Sequence, residues 1–215
     1  MADVIVSFNG ANRIGLIVRG KMSPTHHPDK MAQHADAILA SGAPTGFYGE
    51  GNGASGNRVG MNMQGVVYDY QGLRINRPYY VDADSAVANR VVSTVLLVTV
   101  TPKQAAAFAA SWNRMTLHPG SFNIVGGNCS SHASAAFIDA GVLKNGIPGL
   151  DTPDNLYGQI VHDMPATSLQ SLTGFIGFAP SGNGYIMTVK PYVDTPQVAR
   201  PNPGSAGSLN PSRAA

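Results

Sequence analysis

The chain contains a single cysteine, Cys129, in a sequence context that favours a reactive thiol. Gly126 and Gly127 precede it and interrupt any regular element, and a run of small and apolar residues follows as far as Gly141. That run predicts a short, tightly packed helix that begins near the cysteine and ends at the glycine. A helix N-terminus stabilises negative charge, so a cysteine there ionises readily and becomes a nucleophile. The alternative is a buried cysteine that acts only as a small hydrophobic side chain.

A cysteine nucleophile needs a histidine to pair with its thiolate and a polar group to orient that histidine. Among the six histidines, His34 is the preferred base because it begins a predicted strand over residues 34–40 that a glycine turn and a partner strand follow. On such a strand His34 and Asp36 point to the same face. His132, three residues after Cys129, is a second candidate, but a helix would hold it beside the thiol and not across a cleft from it.

The other histidines are assigned to surface or structural positions. His26 and His27 lie in a turn-rich segment, and a zinc site that joined them to the His34 strand would lack the usual ligand spacing and a cysteine pair. His118 and His162 are given structural or solvent-facing roles. The serines beside the cysteine do not form the Gly-x-Ser-x-Gly turn of serine hydrolases. No metal or other cofactor is therefore expected.

The elements that position these residues are mostly strands. The 25 glycines and 15 prolines suit a loop-rich α+β or β-rich domain more than a helix bundle. Strands are predicted over residues 4–8, 14–19, 34–40, 45–50, 66–70, 91–100, 174–178 and 185–189. The first two are expected to form a hairpin at Asn9-Gly10, and the last two a hairpin across residues 181–184. The strand over residues 91–100 is β-branched and nearly continuous, so we expect it to be buried on both faces.

Two helices carry clear start signals. Thr101 and Gln104 form a capping-box pattern, and Thr152 is placed to cap a second helix. Residues 51–57 are rich in glycine but lack the Gly-Lys-Ser/Thr ending of a phosphate loop. We interpret them as a loop beside the site or as a plain surface loop.

Length and composition predict one domain over residues 1–194 and a disordered, Pro/Gly/Ser-rich tail over residues 195–215. The formal net charge of +2 and the absence of basic runs argue against a nucleic-acid partner. The sequence shows no signal peptide and no apolar stretch long enough to span a membrane. We therefore expect a protein made in the cytoplasm, without stable membrane insertion.

Two patches of the sequence resemble the circularly permuted branch of the papain-like cysteine hydrolases, relatives of the NlpC-type cell-wall peptidases. The stretch Gly-Gly-Asn-Cys-Ser-Ser-His-Ala-Ser-Ala-Ala-Phe around Cys129 is similar to the Asn-Cys helix start of that family. The stretch His-Ala-Asp-Ala-Ile-Leu-Ala-Ser-Gly-Ala-Pro-Thr-Gly-Phe-Tyr-Gly-Glu, from His34 to Glu50, is similar to its histidine strand and following hairpin. The resemblance implies an α+β fold, an antiparallel sheet or partial barrel with the cysteine helix packed on it.

The resemblance also implies an amide-bond hydrolase in which Cys129 forms a thioester and His34 is the base. The family's orienting residue lies on the next strand, which maps to Glu50 or, less directly, to Asp69. Relatives cut peptidoglycan stem peptides, and a short domain of low charge without a wall-binding repeat is similar to the antibacterial amidase effectors of type VI secretion. That likeness implies delivery by a secretion apparatus to the periplasm of a target cell, and a partner immunity protein.

Two other classes of protein stay open. One is an acyltransferase or deamidase of the same fold that acts on lipid or host protein. An enzyme that acts on lipid should carry a long apolar lid, whereas the sequence shows only the polar loop over residues 51–57. The other is a non-catalytic binding module in which Cys129 is buried, for which a strongly raised thiol pKa would be expected.

Overall fold

An antiparallel sheet organises the part of the chain that the computed structural model describes, namely residues 2–10, 12–29, 33–50, 62–146 and 152–193. Its strands are β1 (Val4–Ser7), β2 (Arg13–Arg19), β3 (His34–Ile38), β4 (Pro44–Glu50), β5 (Met63–Tyr68), β6 (Ser93–Thr99), β7 (Ser121–Phe122), β8 (Leu169–Ser181) and β9 (Gly184–Pro191). They lie side by side in the order β1-β9-β8-β6-β2-β3-β4-β5-β7. Every pairing in the described residues is antiparallel, so the predicted α+β class with an antiparallel sheet is confirmed.

The described residues also form five α-helices. These are α1 (Tyr70–Asn76), α2 (Ala83–Ala88), α3 (Pro102–Leu117), α4 (Cys129–Asp139) and α5 (Pro153–Asp163). The two predicted helix starts are confirmed: Thr101 caps α3 in a capping box with Gln104, and the Thr152 side chain accepts a hydrogen bond from the N–H of Asn155 at the start of α5.

The sheet separates two hydrophobic cores, because side chains alternate between the faces of a strand. On the helix face, α3, α4 and α5 cover a core that includes Ala35 and Ala37 of β3. On the opposite face, which we call the tyrosine face, α1 and α2 pack near a core that includes Tyr48, Tyr68 and Ile38. The helix α4 contacts β3 and β4. The cysteine helix is thus packed on the sheet, and each residue of β3 is assigned to one face.

The strand β6 lies between β2 and β8 near the middle of the sheet and is buried on both faces from Ser93 to Val98. This confirms the expectation for residues 91–100. The C-terminal hairpin is also confirmed, since β8 and β9 pair directly up to the turn between Ser181 and Gly184.

The expected hairpin between the first two strands is wrong. The chain does turn at Gly10, which has a left-handed backbone (φ 72°), but β1 pairs with β9, and β2 lies between β6 and β3. The reason is burial: residues Ile14 to Val18 of β2 are buried on both faces, so β2 needs a long neighbour on each side, and β1 has only four residues. The local turn signal carries no information about these distant partners.

Two expectations fall on residues that lie outside the described ranges: the glycine-rich loop over residues 51–57 and the tail over residues 195–215. Within the described ranges, no helix combines the length and apolar character needed to cross a bilayer.

Candidate active site

Cys129 is the first residue of α4, where the sequence predicted the helix to begin. Asn128 caps the helix: its Oδ1 accepts hydrogen bonds from the N–H groups of Ser130 (2.9 Å) and Ser131 (3.1 Å). In return, the Ser131 hydroxyl accepts from the Asn128 N–H at 2.8 Å. These bonds fix the first turn and place the thiol at the positive end of the helix dipole.

His34 is the first residue of β3, and the thiol of Cys129 lies against the beginning of this strand. The backbone N–H of the next residue, Ala35, donates a hydrogen bond to Cys129 Sγ at 3.4 Å. The His34 imidazole lies close enough to the same sulfur for each group to shift the pKa of the other. Both side chains are shielded, with Cys129 6% and His34 15% exposed. The structure therefore brings together the two residues that the sequence selected as nucleophile and base.

Asp36 is the carboxylate that orients His34. Its Oδ1 accepts a hydrogen bond from His34 Nε2 at 2.9 Å, which leaves Nδ1 of the ring for the thiol. Residues two apart on a strand share a face, so β3 supplies both members of this pair. Asp36 is completely buried. A buried carboxylate requires partners for its other lone pairs.

Arg19 and Tyr48 supply those partners from the two neighbouring strands. Arg19 Nε donates to Asp36 Oδ2 at 2.8 Å, and the Tyr48 hydroxyl donates to Oδ1 at 2.6 Å. Burial alone would raise the pKa of Asp36, but the Arg19 guanidinium, His34 and Tyr48 together lower it to about 2. Asp36 therefore stays ionised. We call Cys129, His34, Asp36, Arg19 and Tyr48 the Cys129 cluster.

Gly46 makes room for the carboxylate. It pairs with Asp36 across β3 and β4, and a Cβ atom at this position would overlap Asp36 Oδ1 and lie 3.0 Å from Tyr48 Cε2. The absence of a side chain at Gly46 is therefore a condition for the Asp36 contacts, as expected where another group approaches a strand closely.

Aromatic rings hold the plane of the imidazole. The His34 ring stacks on Tyr48 with centroids 4.3 Å apart and lies nearly parallel to Tyr80 at 5.9 Å. The Tyr80 carbonyl accepts a hydrogen bond from Arg19 at 2.9 Å, which ties this second ring to the same ion pair. The stacking restricts rotation of the imidazole and excludes water from one of its faces.

The charges of Cys129 and His34 stabilise each other. Burial alone would lower the pKa of His34, but the Cys129 thiolate and the Asp36 carboxylate raise it to about 10. Burial alone would raise the pKa of Cys129, but the charge and hydrogen bond of His34 and the Ala35 N–H lower it below its ordinary value. Both shifts favour a thiolate–imidazolium pair, the ionic form that a nucleophilic cysteine takes.

The backbone N–H of Cys129 is available for a further contact. The N–H groups of Ser130, Ser131 and His132 are taken up by Asn128. Among the described residues, none accepts a hydrogen bond from the Cys129 N–H itself. A free N–H beside the sulfur is placed to stabilise negative charge on an oxygen that develops during attack by the thiolate.

Glu50 and Asp69, the two carboxylates expected to orient the histidine, lie elsewhere, and this expectation is corrected. Glu50 is exposed at the end of β4, opposite Gln64, and Asp69 caps α1 by accepting from the N–H of Gly72 at 2.9 Å. Neither forms a hydrogen bond to His34 within the described ranges. The signal for the correct residue was in the sequence, because a strand that begins at His34 necessarily places Asp36 on the same face.

His132 is a structural residue in this arrangement. Its ring stacks on Phe47 with centroids 3.5 Å apart, and its Nδ1 donates to the Asn128 carbonyl at 3.1 Å. Burial of the ring lowers its pKa. These contacts hold the His132 ring against Phe47 and the first turn of α4.

A second buried charged group, not predicted from the sequence, lies just after Arg19, the last residue of β2. Lys21, 1% exposed, donates from Nζ to Asp154 Oδ1 at 2.7 Å, and His27 Nδ1 bonds to Asp154 Oδ2 at 2.7 Å. Gln33 accepts a hydrogen bond from the N–H of Asp154 at 3.0 Å. We call Lys21, His27 and Asp154 the Lys21 cluster. Lys21 stands in a polar, turn-rich segment, and that composition gave no sign of its burial.

No group of three or more histidine, cysteine, aspartate and glutamate side chains in the described residues could hold a metal ion. His34 is hydrogen-bonded to Asp36, and His27 to Asp154. Comparison of the chain with protein-family models, with curated proteins and with solved structures finds no match.

Proposed function

We propose that this protein is a cysteine hydrolase that cleaves an amide bond through a Cys129 thioester, and that its fold is a permuted variant of the papain-like fold. The observation that carries the proposal is the alignment of Cys129, His34 and Asp36: Asp36 holds the imidazole, and the imidazole lowers the pKa of the thiol. The ion pair lowers the thiol pKa, which is the opposite of what a buried structural cysteine in a binding module would have.

Acylation follows from the positions of the three groups. The thiolate attacks the carbonyl carbon of the amide, and the oxygen takes up the negative charge beside the Cys129 N–H. The His34 imidazolium then donates its Nδ1 proton to the amide nitrogen. The carbon–nitrogen bond breaks, the amine leaves, and an acyl group remains on the sulfur as a thioester.

Deacylation uses the same groups in reverse. Neutral His34 takes a proton from water, and the hydroxide attacks the thioester carbon. The carbon–sulfur bond breaks, the thiolate is restored, and the carboxylic acid product leaves. Asp36 keeps the imidazole oriented through Nε2 in both stages, and Arg19 keeps Asp36 ionised so that it does not take the proton itself.

The substrate class and setting rest on the resemblance of the two sequence patches. It favours peptidoglycan stem peptides as substrate, delivery by a type VI secretion apparatus to the periplasm, and an immunity protein in the producing cell. The Cys129 cluster supports only the amide-cleaving chemistry, which an acyltransferase or deamidase of the same fold would share.

The test begins with the single cysteine. The rate of Cys129 alkylation by iodoacetamide is measured from pH 5 to 10 in the wild type and in His34→Ala. We expect fast alkylation well below pH 8 in the wild type and, in the variant, a shift of the profile to higher pH. Purified peptidoglycan is then digested with the wild type and with Cys129→Ala, and the products are identified by mass spectrometry. A thiol that stays inert until the protein unfolds would refute the enzyme proposal.

A further inference from the structure

A small cleft opens at the end of the sheet where β2 and β6 meet the segment after α2. Its volume is about 220 Å³. Two residues that line the cleft are hydrogen-bonded to each other: the N–H of Gly20 donates to the Val92 carbonyl at 2.9 Å. The cleft is lined mainly by Arg19, Met22, Tyr80, Arg90, Val91 and Val92. We call it the Arg90 cleft.

The strand register places the Arg90 cleft beside the Cys129 cluster. Arg19, the last residue of β2, pairs with His34 on one side and with Ser93 on the other. Because neighbouring strands lie about 4.8 Å apart, the β6 side of the cleft is about 10 Å from His34. Tyr80 joins the two sites, since its ring packs near His34 and also lines the cleft.

The cleft carries positive charge without an acidic residue in its lining. The charge of Arg19 is balanced by Asp36, but its NH1 group has only a long contact of 3.5 Å to the Ser93 hydroxyl. Arg90 is exposed, and within the described part of the chain it has no carboxylate partner. Its backbone is left-handed (φ 56°), a conformation that is uncommon for arginine and that is concentrated at functional sites.

We propose that the Arg90 cleft is a substrate subsite that binds a carboxylate group, with Arg90 as its ionic partner and Arg19 NH1 as an additional donor. This inference rests on the proposed function and deepens it, because it assigns a charge to the substrate. Arginine presents its N–H groups in a plane that matches a carboxylate, which favours this ligand over a neutral amide.

The walls of the cleft restrict the rest of the ligand. Met22, Val91, Val92 and the Tyr80 ring are largely apolar, and the volume suits a group of the size of one small residue. The ligand class is therefore a short peptide that carries a free carboxylate beside a small apolar side chain.

The test uses N-acetylalanine as the carboxylate probe and N-acetylalaninamide as its neutral match. Binding to the wild-type protein is measured by NMR titration at low and high salt, and then repeated with Arg90→Gln and Arg90→Lys. We expect N-acetylalanine to bind the wild type in the millimolar range and its affinity to fall at high salt. Its affinity should fall at least tenfold in Arg90→Gln and recover in part in Arg90→Lys. Arg74→Gln, which removes an exposed arginine from α1, is the control and should not change binding.

Equal binding of the acid and the amide, no binding of the acid, or unchanged binding in Arg90→Gln would each overturn the subsite. The same variants are also alkylated at Cys129 with iodoacetamide. We expect the alkylation rates of the variants to equal that of the wild type, because Arg90 forms no hydrogen bond or ion pair with Cys129 or His34. An inert thiol in the wild type would refute the hydrolase while the binding data still decide on the carboxylate site.

Discussion

The Cys129 cluster and the Lys21 cluster contain the same kinds of charged side chain in different surroundings. Each pairs a buried cation from the end of β2 with an aspartate, and each aspartate also binds a histidine. In the first, the histidine is 15% exposed and the aspartate fully buried; in the second, the histidine is 83% exposed and the aspartate 15% exposed. Only the first has a thiol beside the histidine.

The two clusters show that the types of residue in a charged cluster do not decide its role. Burial acts against both shifts in the Cys129 cluster, but the neighbouring charges, strengthened by the exclusion of water, raise the pKa of its histidine and lower that of its cysteine. An ion pair with an exposed histidine is screened by solvent and contributes little. We therefore interpret the Lys21 cluster as structural: it holds the connection that leads to β3 against the start of α5.

The largest expected contrast is in thiol reactivity. In Asp36→Asn, His34 loses the carboxylate that orients it and raises its pKa, and this outweighs the direct effect of the Asp36 charge, which raises the thiol pKa. We expect Cys129 alkylation at pH 7 to slow by about 100-fold. In Asp154→Asn we expect a change of less than about threefold, because Asp154 does not touch the pair. Equal slowing in both variants would show that the two clusters act as one.

The same two variants should be alike in stability. Asp36→Asn leaves the buried Arg19 without its counter-charge, and Asp154→Asn does the same to Lys21. We expect each to lower the free energy of unfolding by about 2–3 kcal/mol, measured by urea denaturation. If Asp154→Asn were neutral, the structural role of the Lys21 cluster would be wrong.

A pair of glycine substitutions sharpens the comparison further. In Gly46→Ala the new Cβ overlaps the Asp36 carboxylate, so we expect a loss of about 1–3 kcal/mol in stability and about tenfold slower alkylation. In Gly158→Ala, within α5, the Cβ meets open space, and alanine should stabilise the helix by about 0.5–1 kcal/mol. Circular dichroism melts and the alkylation assay measure both effects. An alkylation rate in Gly46→Ala equal to that of the wild type would show that Asp36 does not need this space.

The smallest expected effect is in the dependence of stability on pH. Folding raises the pKa of His34 from 6.5 to about 10 and lowers that of Cys129 from 9.0. The proton that His34 keeps stabilises the folded state fully below pH 6.5, and this contribution is lost as the pH rises to about 10. The thiolate of Cys129 contributes in the opposite sense: its stabilisation is lost as the pH falls through the lowered pKa of the folded thiol and is complete at pH 9.0. Above that, only the folded chain keeps a proton until about pH 10, so stability falls.

Urea unfolding of the wild type, His34→Ala and His27→Ala from pH 6 to 10 measures this profile. His34→Ala should remove the alkaline decline that the imidazolium causes, whereas His27→Ala should keep the wild-type shape. A level wild-type profile up to pH 10 would contradict the thiolate–imidazolium pair.

The sequence predicted the elements that bring Cys129 and His34 together because their signals are local. The glycines and Asn128 mark the beginning of a helix at Cys129, and alternation along residues 34–38 marks a strand that begins at His34. Asp36 was within the same pattern, but a carboxylate on a buried strand is favourable only with a cation beside it. That cation, Arg19, is brought in by the β2–β3 register, which the sequence does not state.

The same limit explains the errors in the fold. The antiparallel β8–β9 hairpin follows from a short turn between its own strands, whereas the partners of β1 and β2 are distant in sequence. The burial of Lys21 likewise depends on Asp154, which the chain brings near only after all of β3 to α4 has been placed. Non-local pairing, not local propensity, determined each of these features.

The position of His34 and Asp36 on one strand has a consequence for how the protein acquires its reactive thiol. Side chains alternate with a period of two, so a slip of β3 by one residue would turn both groups to the helix face and place Ala35 and Ala37 on the tyrosine face instead. A mispaired sheet therefore cannot keep half of the site. The thiol of Cys129 would therefore become reactive only after β3 has paired in register with β2 and β4. Its reactivity would then be a measure of how far folding has gone to completion.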